Sequence, residues 1–435
     1  MDVAIQAALI LFIGVAFLLI IGAPISISVG VASALAMFTL LDMENGLLTS
    51  AQRMFTGMNS FTLLAIPFFI LAGVIMNNGG IAIRLVNCAK VLSGRMPGSL
   101  AHTNVLANML FGSISGSGVA AAAAVGSTMA PLQEKEGYNR EFSAAVNIAS
   151  APAGMLIPPS NTLIVYSLVS GGTSISALFM AGYVPGILWG IACMVIAFFY
   201  ARKAGYRSEA RVPLKVALLV FLEAIPSLLL IVIVIGGIVG GVFTATEGSA
   251  IAVVYSLMLA FIYRAIKIKD LPRILLESAK TTSIVIFLIG VSSIMSWVMS
   301  FTNIPGIIAD LLLSITDNMI LILLIMNLVL LIIGTFMDPT PAVLIFTPIF
   351  LPIALSFGID PVHFGIIIVF NLSIGTITPP VGPVLFVGAK VANLRIESVV
   401  RPLIPFFVAT IVVLMVVTYV PELSLKLPEL LGLVK

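Results

Sequence analysis

The chain has 435 residues, of which 60% are hydrophobic and only 9% charged, with a net charge of +3. Soluble globular chains carry nearer a quarter charged residues, so this composition excludes a water-soluble domain and makes lipid the solvent. Nothing in so small a net charge points to nucleic acid.

Taken in order, the first apolar run, Val3 to Ile21, has neither a basic n-region nor a small-residue cleavage site. It is read as a retained span and not as a signal peptide. Spans are expected at roughly 4–21, 24–41, 60–77, 141–171, 174–201, 220–242, 247–264, 282–300, 360–393 and 402–420, about ten crossings of bilayer length. The run from Ile81 to Leu92 sets Arg84 and Lys90 on an apolar stripe and reads as an interfacial amphipathic helix. Two further runs, about 98–133 and 318–356, are polar or proline-rich in the middle and predict re-entrant hairpins. Cys88 and Cys193 lie in separate apolar segments and suggest neither a disulfide nor a metal site.

Basic residues cluster at Arg202, Lys203, Arg207, Arg211 and Lys215, and again at Arg264, Lys267, Lys269 and Arg273. Placing these loops in the cytoplasm puts both termini outside, with the first hairpin on the cytoplasmic and the second on the periplasmic side.

Two irregular stretches sit inside the apolar sequence: Gly112-Ser-Ile-Ser-Gly-Ser-Gly118 and Gly154-Met-Leu-Ile-Pro-Pro-Ser-Asn161. Glycine and paired proline break the helical ladder, and broken backbone survives in hydrocarbon only where protein buries it or a polar cavity receives it. Both stretches recur. Gly154-Met-Leu-Ile-Pro158-Pro159 matches Gly375-Thr-Ile-Thr-Pro379-Pro380, and Gly112-Ser113 matches Gly334-Thr335, at offsets of 221 and 222. The expected fold is therefore an all-α polytopic membrane protein of two repeats, 1–215 and 216–435. Each repeat has about five spans, a hairpin and a broken helix (about 141–171 and 360–393). An odd number of crossings inverts the second copy, which is a transporter pattern.

Sodium needs several oxygen ligands, and hydroxyls with freed carbonyls supply them without burying a net charge. Ser113, Ser115 and Ser117 beside the first break are candidates, as are Gly334, Asp338, Thr340, Thr376 and Thr378 in the second half. An intramembrane carboxylate such as Asp338 is costly and so is a functional candidate by default. The structural alternative is that the small residues serve close packing and the hydroxyls bond their own helices. Duplication of the break favours the site. Ser160 and Asn161 open a helix and would either hold a substrate group or cap that helix. His102 and His363 read as interfacial or capping residues, Glu247 as a first-turn carboxylate, and Trp189 and Trp297 as packing or interface residues. A channel would need a continuous polar pore, and an intramembrane enzyme a nucleophile with a base; neither pattern is visible. No phosphate-binding loop with a lysine is seen.

The pieces Ser60-Phe-Thr-Leu-Leu-Ala-Ile-Pro-Phe-Phe69, Gly112–Gly118, Ile157-Pro-Pro-Ser160, Ser176-Ala-Leu-Phe-Met-Ala-Gly182 and Ile377-Thr-Pro-Pro-Val-Gly382 resemble the large membrane subunit of tripartite ATP-independent periplasmic (TRAP) transporters, within the ion transporter superfamily. The resemblance implies a sodium-driven, elevator-type importer of organic acids in the bacterial inner membrane. It implies two partners, a small four-helix membrane subunit and a soluble periplasmic binding protein, and no cofactor beyond sodium as coupling ion. It carries sodium ligation to Ser113, Ser115, Gly154, Ile157 and Pro158, and to Gly334, Thr376 and Thr378; Asp338, as an intramembrane carboxylate, and Pro379, in the second break, are further candidate ligands read from the residues themselves. Substrate contacts would come from Ser117, Ser160, Asn161, Thr340 and Gly382. The Asp that the family often places after Ser-Gly-Ser-Ala-Val-Ala is missing, because Gly118-Val119 runs into alanines. The motif is most similar to members handling sialic acid, with C4-dicarboxylates or other sugar acids as alternatives.

Overall fold

A computed structural model describes residues 3–94, 96–206 and 213–434, apart from the side chain of Leu214; Arg207 and Arg211 of the basic cluster lie outside the described residues. All regular structure among the described residues is helical. Among the described residues eight helices are long and apolar enough to cross a membrane, and the bent pair Arg140–Leu156 and Asn161–Val169, which turns by 45° at its break, makes a ninth if it is counted as one span.

The count falls short of ten for local reasons. The expected span 24–41 is helical only over Ile25–Met37, 13 residues, roughly 20 Å of rise against the ~30 Å of a hydrocarbon core. The helix closes in tight turns past Phe38, with Thr39 N donating to Ala36 O and Leu40 N to Met37 O, and Asp42 then caps the next helix by accepting from Asn45 N at 3.4 Å. The expected span 360–393 is two short helices, Pro361–Gly375 and Pro383–Val391, because Pro379 and Pro380 offer no N–H to continue the ladder.

The order of elements repeats along the chain. Phe61–Asn78 is followed by Ile81–Ser93, the helix pair Ser99–Ser115 and Gly118–Lys135, the broken Arg140–Val169, and Ile175–Ala204. In the second half Leu271–Phe301 is followed by Ile304–Ile315, the pair Met319–Gly334 and Pro339–Ser356, the broken 361–391, and Ile396–Tyr419. Asn161–Val169 and Pro383–Val391 have the same length at an offset of 222.

Within each half a buried amide bridge ties the first arm of the hairpin to the broken helix. Asn108 Nδ2 donates to Ser150 Oγ at 2.8 Å and to Asn147 Oδ1 at 3.1 Å. In the second half Asn371 donates to Asn327, whose own amide donates to Thr418 Oγ1 at 3.1 Å. Each such bond stabilises by about 1 kcal/mol and leaves a costly orphan if one partner is removed. The two halves join through Trp189, which donates to Ala149 O at 2.8 Å and places its ring 4.8 Å from Phe370, and through Tyr166, which donates to Pro361 O at 2.6 Å. These contacts gather both hairpins and both broken helices into one body.

Two amphipathic helices flank that body. Ile81–Ser93 buries Leu85, Val86 and Ala89 against Ser99–Ser115, with Arg84 stacked 3.5 Å from the Tyr263 ring. Met43–Met58 is an element that the span reading did not anticipate; it lies on Leu271–Phe301, where Gly57 meets Ser293 at a distance no side chain would allow. His102 and His363 are buried within the protein, 1% and 2% exposed, and are not interfacial.

Candidate functional site

Each hairpin turn meets the break of the following helix through a pair of glycines. A Cβ on Gly154 would lie 2.2 Å from Gly112 Cα, and one on Gly375 would lie 2.3 Å from the carbonyl carbon of Gly334. Backbone therefore crosses backbone, a contact open only to glycine. Beyond the first crossing the chain turns at Gly116, φ +63°, and a Cβ there would stand 3.0 Å from Asn161 Nδ2. The turn thus sits on the start of the helix that follows the break.

Proline frees carbonyls at both breaks. Residues 158 and 159 lack N–H groups, so Gly154 and Met155 have no donor four residues on. In the second break Thr376 O instead accepts from Val384 N at 3.0 Å and Leu385 N at 3.3 Å. Gly382, φ +26°, packs where a Cβ would be 2.8 Å from Thr378 O and 3.0 Å from Thr376 O. Thr335 O accepts from Gly382 N at 3.4 Å, which closes the second hairpin onto the break.

A cavity of about 450 Å³ opens on this arrangement. Ser115, Ser117, Asn161, Asp338, Thr340 and Thr376 line it, drawn from both hairpins and both broken helices. Ser115 Oγ is held loosely, 3.4 Å from Ser117 O and 3.5 Å from Gly112 O. Asp338 caps its helix by accepting from Thr340 N at 3.2 Å. Thr162, Asn77, Glu277 and Thr281 also line the cavity and were not singled out from sequence. Two of them carried a signal: Asn77 ends an apolar span with an amide, and Glu277 puts a charge at the start of another.

The remaining candidates stand behind the lining. Ser113 Oγ donates to Leu110 O at 2.9 Å, and Thr378 Oγ1 donates to Ile374 O at 2.8 Å. Ser160 is fully buried and caps its helix by accepting from Leu163 N at 3.4 Å. Gly154, Ile157, Pro158 and Gly334 form buried backbone beneath the hairpins, whereas Pro379 is exposed. Glu247 accepts from Thr244 N at 2.8 Å in a capping box, a structural role. The cavity's donor set of hydroxyls, freed carbonyls and the carboxylates of Asp338 and Glu277 is the type that suits a hard cation. Among the described residues no three His, Cys, Asp or Glu side chains come together in a metal cluster.

Residues 12–423 match the family model described as "Tripartite ATP-independent periplasmic transporter, DctM component". The chain is 57% identical to the uncharacterized protein YgiK of Salmonella typhimurium, over 97% of both chains. It is 41% identical to the C4-dicarboxylate TRAP transporter large permease protein DctM of Pseudomonas aeruginosa, over 93% of this chain and 95% of that one. It is 39% identical to the sialic acid TRAP transporter large permease protein SiaM of Vibrio cholerae, over 95% and 96%. Among solved structures, the YdaH transporter of Alcanivorax borkumensis superposes with a TM-score of 0.65 at 13% identity, over 87% of this chain and 89% of that one, a likeness of fold alone.

Proposed function

This chain belongs to the DctM component family of the tripartite ATP-independent periplasmic transporters, and on that premise we propose that it carries an organic acid inward across the bacterial inner membrane, coupled to sodium. One observation supports this reading most. The first turns of four helices, at Gly118, Asn161, Thr340 and Val384, line the same 450 Å³ cavity. Each helix N-terminus carries the positive end of its dipole, and although Thr340 N, Val384 N and Leu385 N already have acceptors, the convergence of four such ends favours an anionic group.

In this proposal sodium settles among the hydroxyls and carbonyls at Ser115, Ser117 and Thr376. It offsets Asp338 and draws the substrate carboxylate toward Asn161 and Thr340. The halves 1–215 and 216–435 have opposite orientations in the membrane, with the loops at 202–215 and 264–273 cytoplasmic. The body of hairpins and broken helices then moves as an elevator against the helices of 3–37 and 214–262. A small four-helix membrane subunit would cover the exposed apolar scaffold, and a periplasmic binding protein would deliver the substrate. Sialic acid is the first substrate to try, from the hairpin motif and the likeness to SiaM; a C4-dicarboxylate is the alternative that the equally similar DctM relative supports.

The test is uptake by proteoliposomes holding this chain, its small subunit and its binding protein under imposed gradients. Uptake should follow the sodium gradient. Uptake driven by protons in the absence of sodium would sink the coupling.

A further inference from the structure

A second cavity, about 480 Å³, lies between Met43–Met58 and Leu271–Phe301, with Leu168 and Val169 at the end of the first broken helix on its wall. Met43–Met58 contributes Arg53 to it, Leu271–Phe301 contributes Ser292, Ser296, Trp297 and Ser300, and Ser60 lines it beside them. Ser292 and Ser296 stand 222 positions after Ile70 and Val74, which line the first cavity. The same helical face is thus aliphatic in the first half and hydroxylated in the second. Close helix packing would explain such serines in a membrane protein, and Ser293 does back-bond to Ile289 O at 2.9 Å. That explanation fails at Ser292, which is 3% exposed, has no hydrogen-bond partner and borders the open cavity. Close packing leaves no cavity of this size.

The charge on the wall is also particular. Arg53 holds its guanidinium 5.6 Å from the Trp297 ring centre, and among the described residues no ion pair engages it. The first cavity carries two carboxylates, Asp338 and Glu277, and the second carries a cation alone. An anion thus meets two like charges in the first cavity and one opposite charge, on the exposed Arg53, in the second.

We propose that this second cavity is a binding subsite for a hydroxylated organic carboxylate. Arg53 receives the carboxylate and Ser292, Ser296 and Ser300 receive the hydroxyls, without sodium. The proposal rests on the organic-acid reading above and adds a loading position to it.

Ser296→Cys on the full-length chain in liposomes gives a reporter, since Cys88 and Cys193 are buried. An anionic methanethiosulfonate should label it about tenfold faster than a cationic one, as expected where an uncompensated charge focuses ions. Arg53→Gln should bring the two rates to parity, and Arg53→Lys should keep the preference, which separates charge from misfolding. Saturating N-acetylneuraminate, malate or gluconate in sodium-free buffer should slow the labelling. A rate ratio that ignores Arg53→Gln overturns the proposal, as does a labelling rate that all three acids leave unchanged. Uptake of any of these acids without protection removes the subsite and leaves the transport function standing. Protection with no uptake of any of them, once the small subunit and the binding protein are added to the same liposomes, keeps the subsite and removes the transport function.

Discussion

The two backbone breaks start from similar sequence and end in different surroundings. Both run against a glycine of the neighbouring hairpin, yet residues 154–160 are all buried, whereas Pro379, Pro380 and Val381 are exposed. The helix that follows each break supplies a reason. Gly182 and Gly186 let Ile175–Ala204 rest on the first break, where a Cβ would lie 2.1 Å from Leu156 O and 2.5 Å from Ile157. At an offset of 221 the second half carries Leu403 and Phe407, whose bulk forbids that approach. The helix starts differ as well. Ser160 caps the first with its hydroxyl, while Gly382 stands 222 positions later and leaves Thr376 O to accept the N–H groups. A duplicated motif thus preserves the crossing of backbones, and the residues around it decide what the crossing exposes.

The crossing itself is where the largest effects are expected. Gly154→Ala and Gly375→Ala each force a methyl into backbone that has nothing flexible to yield. Overpacking of this kind costs about 1–3 kcal/mol and occasionally more. Gly154→Ala should lose more, because its surroundings are closed on every side and the second break can relax outward. Thermal melts of the purified chain rank the two. Equal melting points would show that exposure of the second break gives it no slack.

Exchanging the caps tests the second difference. Ser160→Ala removes a side-chain cap and should cost about 1 kcal/mol, while Ser160→Gly should cost only a few tenths. The reverse exchange, Gly382→Ser, should be worse than either. It places a Cβ 2.8 Å from Thr378 O at φ +26°, a conformation that costs a side chain about 1–3 kcal/mol. If Gly382→Ser melts at or above the parent temperature, the second break is held less tightly than its geometry indicates.

The all-helical, many-span class was legible because composition and run length report it directly, and the recurring Gly-Pro-Pro stretches identified the repeat. What could not be read was where an apolar run stops being helix. Ile25–Met37 ends early at Phe38, ahead of the helix that Asp42 caps, and that helix, Met43–Met58, is amphipathic in a stretch too polar to register as a span. Of the hydroxyls named from sequence, Ser115, Ser117, Thr340 and Thr376 reach the cavity, and Ser113, Ser160 and Thr378 are engaged by nearby backbone. One helical turn decides which way a hydroxyl points, and composition carries no such phase. Glu277 and Thr281 were missed because they belong to a helix distant in sequence from either break.

The smallest effects separate lining hydroxyls from engaged ones. Ser115 Oγ has only contacts of 3.4 and 3.5 Å and can turn toward an ion at little cost. Thr376 Oγ1 must first give up a 2.7 Å bond to Ser373 O. Ser115→Ala should therefore raise the sodium concentration for half-maximal uptake by about fivefold, the equivalent of roughly one hydrogen bond's net 1 kcal/mol. Thr376→Ala should raise it less, because the wild-type hydroxyl already has an acceptor to leave. Ser113→Ala and Thr378→Ala should leave sodium activation unchanged, since neither residue lines the cavity. Uptake measured across a sodium series orders the four variants. If Ser113→Ala shifts the curve as far as Ser115→Ala, the ion sits below the first hairpin turn, toward Gly154, and not on its open side.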